Sequence, residues 1–177
     1  MKKNVIVCGL ISGVILAILM AVNVQMCYSN EDFESSMVLG YASMILAFSL
    51  IFVGIKNYRD KFNNGFITFG QAFKIGLYIT FVASTMYVIA WLIDYYLFIP
   101  DFMDKYETHV LKEARESGAS ALELKEKAVE MVSFKEMYKN PLMVILFTYS
   151  EVIPVGLVVS IISALILRKN ANLGATV

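Results

Sequence analysis

The chain has 177 residues, of which 58% are hydrophobic and 17% are charged, and its mean hydropathy is +0.66. An ordinary soluble domain carries about 25% charged residues, so this composition disfavours a soluble globular protein. Lysine and arginine together number 15, as do aspartate and glutamate, so the net charge indicates neither a nucleic acid nor an acidic partner.

Four long apolar segments follow one another along the chain, and each is long enough to span a membrane as an α-helix. The first follows Lys2 and Lys3, and its roughly 20 apolar residues exceed the 7–15 of a signal-peptide core. The predicted spans cover residues 5–26, 37–55, 75–98 and 142–167. The pattern predicts an all-α integral membrane protein with a single membrane domain over residues 1–177.

Basic residues flank these spans on one side only, at Lys2, Lys3, Lys56, Arg59, Lys61, Arg168 and Lys169. The short loop on the other side carries Glu31, Asp32 and Glu34 and no basic residue. Cytoplasmic loops of membrane proteins are enriched in lysine and arginine. We therefore predict that both termini are cytoplasmic.

The polar segment 100–140, between the third and fourth spans, is predicted to be extracytoplasmic. Two capping boxes mark helix starts: Thr68 with Gln71 before the third span, and Ser120 with Glu123 within the polar segment. Apolar residues recur at four-residue spacing before the "ESGAS" turn, namely Phe102, Tyr106 and Val110. The segment is predicted to form a hairpin of two amphipathic helices over the bundle.

Small residues recur at four-residue spacing on several spans, a pattern that lets helices approach closely in lipid. They predict close helix packing, either within one bundle or between copies of the chain. The candidate packing residues are Gly9, Gly13 and Ala17 on the first span, Gly76 on the third, and Gly156, Ser160 and Ala164 on the fourth.

Glu151 is an acid inside the fourth apolar span, three residues before Pro154. A charged carboxylate at that depth costs at least roughly 2.5–3.5 kcal/mol, so it should face protein or a water-filled cavity. Pro154 cannot donate to the carbonyl of Ser150, which leaves a second polar group there. Tyr87 and Ser43 are predicted at a similar depth. We expect these five residues to form a buried polar site, either structural or linked to an ion or proton.

Asp94 is a secondary candidate, one turn from the end of the third span and beside aromatic residues typical of a membrane interface. The sole histidine, His109, lies among charged residues of the hairpin. The sequence contains no metal-ligand cluster, nucleotide-binding loop or nucleophile motif. We therefore expect neither an enzyme nor a bound cofactor.

Three stretches resemble the bacterial domain-of-unknown-function family 4199: "NGFITFGQAFKIG" (64–76), "IPDFMDKY" (99–106) followed by "ESGAS", and the long segment 138–169. The resemblance covers essentially the whole chain and implies a four-helix protein of the bacterial inner membrane with an inserted extracytoplasmic segment. The family pattern E-x-x-P-V-G matches Glu151 to Gly156, without an assigned role.

Three functions remain open from the sequence. The first is a non-enzymatic structural or accessory protein that acts through helix packing, with lipid and either further copies of itself or another membrane protein as partners. The second is a small ion- or proton-coupled transporter that works as an oligomer with Glu151 as the titrating site. The third is a membrane sensor that uses the extracytoplasmic hairpin. Nucleic acid is not expected as a partner.

Overall fold

A computed structural model describes residues 2–30 and 37–169. These residues form six α-helices and one π-helix: α1 (Lys2–Ser29), α2 (Met37–Phe62), α3 (Phe69–Ile93), the π-helix (Asp94–Phe98), α4 (Phe102–Glu116), α5 (Ala121–Tyr138) and α6 (Pro141–Leu167). Within the described ranges there is no β-strand, only a bridge between Ile67 and Lys169. The acidic loop residues Glu31, Asp32 and Glu34 lie outside the described residues.

Four helices in the described part are long and apolar enough to cross a membrane: α1, α2, α3 with the π-helix, and α6. Large apolar side chains project from them without protein cover, such as Ile18 (58% exposed), Phe81 (60%) and Ile166 (65%). Such surface is unfavourable in water and ordinary in lipid. The chain is therefore an all-helical, multi-pass membrane protein.

The four long helices pack as a bundle in which α3 lies along both α1 and α6. Helix α2 also contacts α1 and α6, and it touches α3 across the centre. The largest fully buried side chains are apolar ones at this centre, including Phe48, Ile51 and Ile79. Leu16 of α1 and Val144 and Val152 of α6 are also fully buried, so all four long helices contribute to the core.

Small residues let α3 and α6 approach closely. A Cβ atom built on Gly76 would lie 2.8 Å from the Ser160 Cβ, and one built on Gly156 would lie 2.8 Å from the Thr80 Oγ1. The Thr80 and Ser160 hydroxyls are 3.2 Å apart and share a hydrogen bond. On α1, Gly9 and Gly13 lie equally close to side chains of α3. These contacts are within one copy of the chain.

One end of the bundle gathers the start of α1 and the ends of α2 and α6. The Asn4 side chain donates to the Gly54 carbonyl at 2.7 Å, and Arg59 donates to the Leu167 carbonyl at 3.3 Å. Basic residues cluster there, so we call it the basic end. Helix α2 continues past the predicted membrane span 37–55 and ends at Phe62, where Arg59 and Lys61 in its last turn favour a helix C-terminus.

The opposite end is covered by α4 and α5, which we call the roof. The predicted capping boxes are present at Thr68 before α3 and at Ser120 before α5, and each reciprocal pair of hydrogen bonds is formed. Residues 94–98 were expected to continue a regular helix. They instead form a π-helix, in which the Ile99 amide donates to the Asp94 carbonyl at 3.0 Å.

Polar contacts attach the roof to the bundle and to itself. The Tyr28 hydroxyl at the end of α1 donates to Asp101, and the Lys105 ammonium lies 3.5 Å from the centre of the Tyr28 ring. The hydrogen bond from Tyr28 and the nearby Lys105 lower the pKa of the Asp101 carboxyl. Between the roof helices, Lys135 on α5 pairs with Asp104 and Glu107 on α4.

Candidate functional site

Glu151 lies about 15 Å along α6 from the roofed end, on a face of the helix that borders open space inside the protein. Two chambers meet at this side chain, one of about 490 Å³ and one of about 330 Å³. Both are lined by Val24, Phe102, Tyr106 and Glu151. By solvent-accessible surface area the Glu151 side chain is exposed, and it lines both chambers.

The smaller chamber, which we call the aromatic chamber, is walled by six aromatic rings. Two come from α3, and four come from the roof. They are Tyr87, Trp91, Phe102, Tyr106, Phe134 and Tyr138. Met20, Val24, Met103, Thr148 and Glu151 complete the wall. The roof therefore supplies most of the aromatic surface around Glu151.

Ring-to-ring contacts hold these side chains in place. The Trp91 and Phe102 rings meet edge to face with centroids 5.2 Å apart, and Phe102 stacks on Tyr106 at 6.1 Å. The Tyr138 and Phe134 rings also contact each other, with centroids 4.8 Å apart. Aromatic pairs in such geometries add about 0.5–1.5 kcal/mol each beyond their area burial. The aromatic chamber therefore has a pre-formed wall.

The larger chamber, which we call the wide chamber, lies among α1, α2, α4 and Glu151. Its polar lining comprises Asn23, Asn30, Tyr41 and His109, and its apolar lining includes Met26, Met37, Leu39 and Met44. Gly40 also lines it, and a Cβ atom built on this glycine has no neighbour within 4 Å among the residues that the structure describes. The wide chamber thus has room for added atoms on the α2 side.

Glu151 is the one carboxylate among the described residues that line either chamber, and no described lysine or arginine lines them. The described part of the chain gives Glu151 no hydrogen bond or ion pair. Burial, followed by the Glu151 carboxylate, raises the pKa of Tyr138 to about 12. The chambers therefore combine an aromatic wall with one acidic group that lacks a cationic partner in this part of the chain.

The structure brings together some of the residues that the sequence grouped with Glu151. Tyr87 is buried and lines the aromatic chamber beside it. Ser43 instead bonds with the Asn23 side chain at 3.3 Å and donates to the Leu39 carbonyl, and Ser150 donates to the Phe147 carbonyl. Ser43, Ser150 and Pro154 line neither chamber, and Pro154 is exposed within a continuous α6.

The remaining candidates lie elsewhere. Asp94 is half-buried at the first position of the π-helix and lines neither chamber. Gly9, Gly13, Gly76, Gly156, Ser160 and Ala164 are buried at helix contacts, and Ala17 is half-buried. Among the residues that the structure describes, no three His, Cys, Asp or Glu side chains come together as metal ligands.

Sequence reasoning missed the aromatic wall. The four-residue spacing of Phe102 and Tyr106 predicts an apolar face on α4, but it does not say what that face covers. Only the folded chain places this face, with Phe134 and Tyr138 of α5, over the acid of α6.

A family model described as "Protein of unknown function (DUF4199)" matches residues 8–169, nearly the whole chain. Comparisons with curated proteins and with solved structures found no match. The description of the family names no activity, and the two chambers are the feature of this structure that suggests a function.

Proposed function

We propose that this chain, which belongs to the family of unknown function that matches it, is a non-enzymatic accessory protein of the bacterial inner membrane that binds a small molecule. The observation that carries the proposal is the pair of chambers that meet at Glu151 beneath the roof. Ligand sites commonly occupy about 300–1,000 Å³, with apolar walls and few polar groups. Both chambers fall in that range.

In this proposal the basic end faces the cytoplasm and the roof faces the extracytoplasmic side. The described basic residues at that end, among them Lys2, Lys56, Arg59 and Lys169, support this orientation through the preference of lysine and arginine for cytoplasmic flanks. A ligand then enters from the extracytoplasmic side or from the outer part of the bilayer.

The bundle is closely packed between the chambers and the basic end. Gly76 and Gly156 meet Ser160 and Thr80 there, and Phe48, Ile51 and Ile79 are fully buried. This favours a site that opens toward the roof over a path through the bundle. It favours binding by an accessory protein over transport.

Filling the wide chamber tests the proposal. Gly40→Leu adds a side chain whose Cβ meets no atom of the described residues. Gly70→Leu adds the same side chain at a similarly open position that lines neither chamber. Purified wild-type protein is analysed by native mass spectrometry for a co-purifying molecule, and the two variants are compared with it.

We expect a bound molecule of discrete mass with the wild type and with Gly70→Leu, and its loss with Gly40→Leu. The same spectra give the copy number and any protein partner. No bound molecule in the wild type, or equal retention by both variants, would remove the proposal.

A sensor is a second candidate, because the roof supplies both the outer surface of the protein and five residues of the aromatic chamber: Phe102, Met103, Tyr106, Phe134 and Tyr138. A ligand that contacts these residues changes the stability of the roof directly. Hydrogen exchange with and without the co-purified molecule tests this, and we expect slower exchange in α4 and α5 when it is bound. Unchanged exchange in both helices would argue for an accessory role without sensing.

A further inference from the structure

We propose that the ligand of the aromatic chamber is an organic cation with a methylated or alkylated ammonium group. This inference rests on the proposed binding function and names the chemical class of the ligand. It follows from three features of one site: six aromatic rings, a single carboxylate, and the absence of lysine and arginine among the described lining residues.

The carboxylate selects the sign of the ligand charge. A charged group within the bilayer requires a partner, and Glu151 has no cation among the described residues with which to pair. An anionic ligand would be repelled. A neutral ligand would fill the chamber and leave the carboxylate without a counter-charge, so a cation satisfies the site best.

The rings select the kind of cation. Aromatic faces attract ammonium groups, and quaternary ammonium ligands are commonly recognised by several rings around the charge. Tyr87 and Trp91 from α3, with Phe102, Tyr106, Phe134 and Tyr138 from the roof, provide such a set next to Glu151. An inorganic divalent ion would need six or more oxygen ligands, and the chamber supplies one carboxylate.

The volume limits the size of the group. The aromatic chamber measures about 330 Å³, at the lower end of the range for small-molecule sites. The wide chamber adds about 490 Å³ with Met26, Met37, Leu39 and Met44 in its wall, which suits an apolar tail. The arrangement fits a compact ammonium head with an apolar substituent. A soluble amine and an ethanolamine or choline lipid headgroup both have this chemistry.

Benzyltrimethylammonium is a suitable probe, with neopentylbenzene as its neutral isostere, in which carbon replaces the charged nitrogen. Trp91 is the single tryptophan of the chain and lines the chamber, so its fluorescence reports binding in detergent micelles. We expect the cation to bind the wild type at least roughly tenfold more tightly than the isostere.

Charge and ring are tested separately. Glu151→Gln should weaken binding of the cation by about thirtyfold or more and leave the isostere unchanged. Asp94→Asn, a carboxylate loss outside the chambers, should change neither. Tyr87→Leu should weaken binding of the cation by between roughly twofold and thirtyfold, whereas Tyr87→Phe, which keeps the ring, should leave its affinity unchanged.

Two lipids distinguish the sources of the ammonium group. If phosphatidylethanolamine displaces benzyltrimethylammonium and phosphatidylglycerol does not, the site holds a lipid headgroup. If neither displaces it, the site holds a soluble cation.

Equal affinity for the cation and its isostere, or an unchanged affinity in Glu151→Gln, would overturn the assignment of a cationic ligand. If the cation fails to bind while Gly40→Leu still removes a co-purifying molecule, the ligand class is wrong and the binding function stands. If both experiments fail, both proposals fall.

Discussion

Gly156→Ala tests the close contact between α3 and α6. The added Cβ would lie 2.8 Å from the Thr80 Oγ1 and 3.0 Å from the Phe48 Cζ, whereas carbon atoms in contact are normally about 3.5–4.0 Å apart. Either α6 must move away or Thr80 must change rotamer and give up its hydrogen bond with Ser160, which spans 3.2 Å. Overpacking of this kind costs about 1–3 kcal/mol.

The substitution also has a favourable term, because alanine is a better helix former than glycine by up to about 1 kcal/mol. Gly40→Ala isolates that term, since a Cβ atom built on Gly40 has no neighbour within 4 Å in the described ranges 2–30 and 37–169. The difference in the free energy of unfolding between the two variants is therefore the packing cost. We expect Gly156→Ala to be less stable than Gly40→Ala by about 1–3 kcal/mol.

The assay is reversible unfolding in mixed micelles with increasing sodium dodecyl sulfate, followed by circular dichroism. Because the contact lies within one copy of the chain, the difference should not depend on protein concentration. Equal stability of the two variants would refute the close contact. A difference that shrinks on dilution would place Gly156 between copies instead, because association stabilises a protein less at lower concentration.

Three further outcomes follow from the structure. Tyr28→Phe removes the hydrogen bond to Asp101 and should speed amide exchange in α4. Because the pKa of Asp101 is lowered, the exchange rate of the wild type should approach that of the variant only as the pH falls below about 4. Identical exchange rates at neutral pH would contradict the attachment of α4 through Tyr28. A thiol reagent that bears a trimethylammonium group should modify Cys27, which lines the wide chamber, faster than Cys8, which lies in the core. Benzyltrimethylammonium should slow the modification of Cys27. Equal modification rates for the two cysteines would count against access through the chamber. A reporter enzyme active only outside the cytoplasm, inserted after Gly118 in the roof turn, should be active, and activity only in a fusion after Lys169 would reverse the orientation.

Much of the fold could be predicted because its signals are local. A long apolar run is favourable in lipid wherever its neighbours lie, so four spans are readable from hydropathy alone. Thr68 with Gln71, and Ser120 with Glu123, satisfy backbone amides within three residues, so both helix starts were also predictable. The π-helix at Asp94–Phe98 has no comparable local signal and was not anticipated.

The site was only partly predictable. An acid in an apolar span must face something other than lipid, and this identified Glu151. Grouping it with Ser150 and Pro154 followed their proximity in sequence. Adjacent residues such as Ser150 and Glu151 point about 100° apart around a helix, whereas Pro154, three positions on, is on the same side of the helix as Glu151. Ser150 bonds back to the Phe147 carbonyl, and Pro154 lines neither chamber.

The sequence by itself determined that the chain lies in a membrane, where α3 and α5 begin, and that one acid in the fourth span needs special surroundings. Tertiary structure alone decided what those surroundings are. Tyr87, Phe102 and Tyr138 stand on three different helices, and their meeting at Glu151 depends on how α3, α6 and the roof pack. Hydropathy and capping are properties of a single chain segment. A chamber is the space between segments, so its shape and lining exist only after the segments have packed.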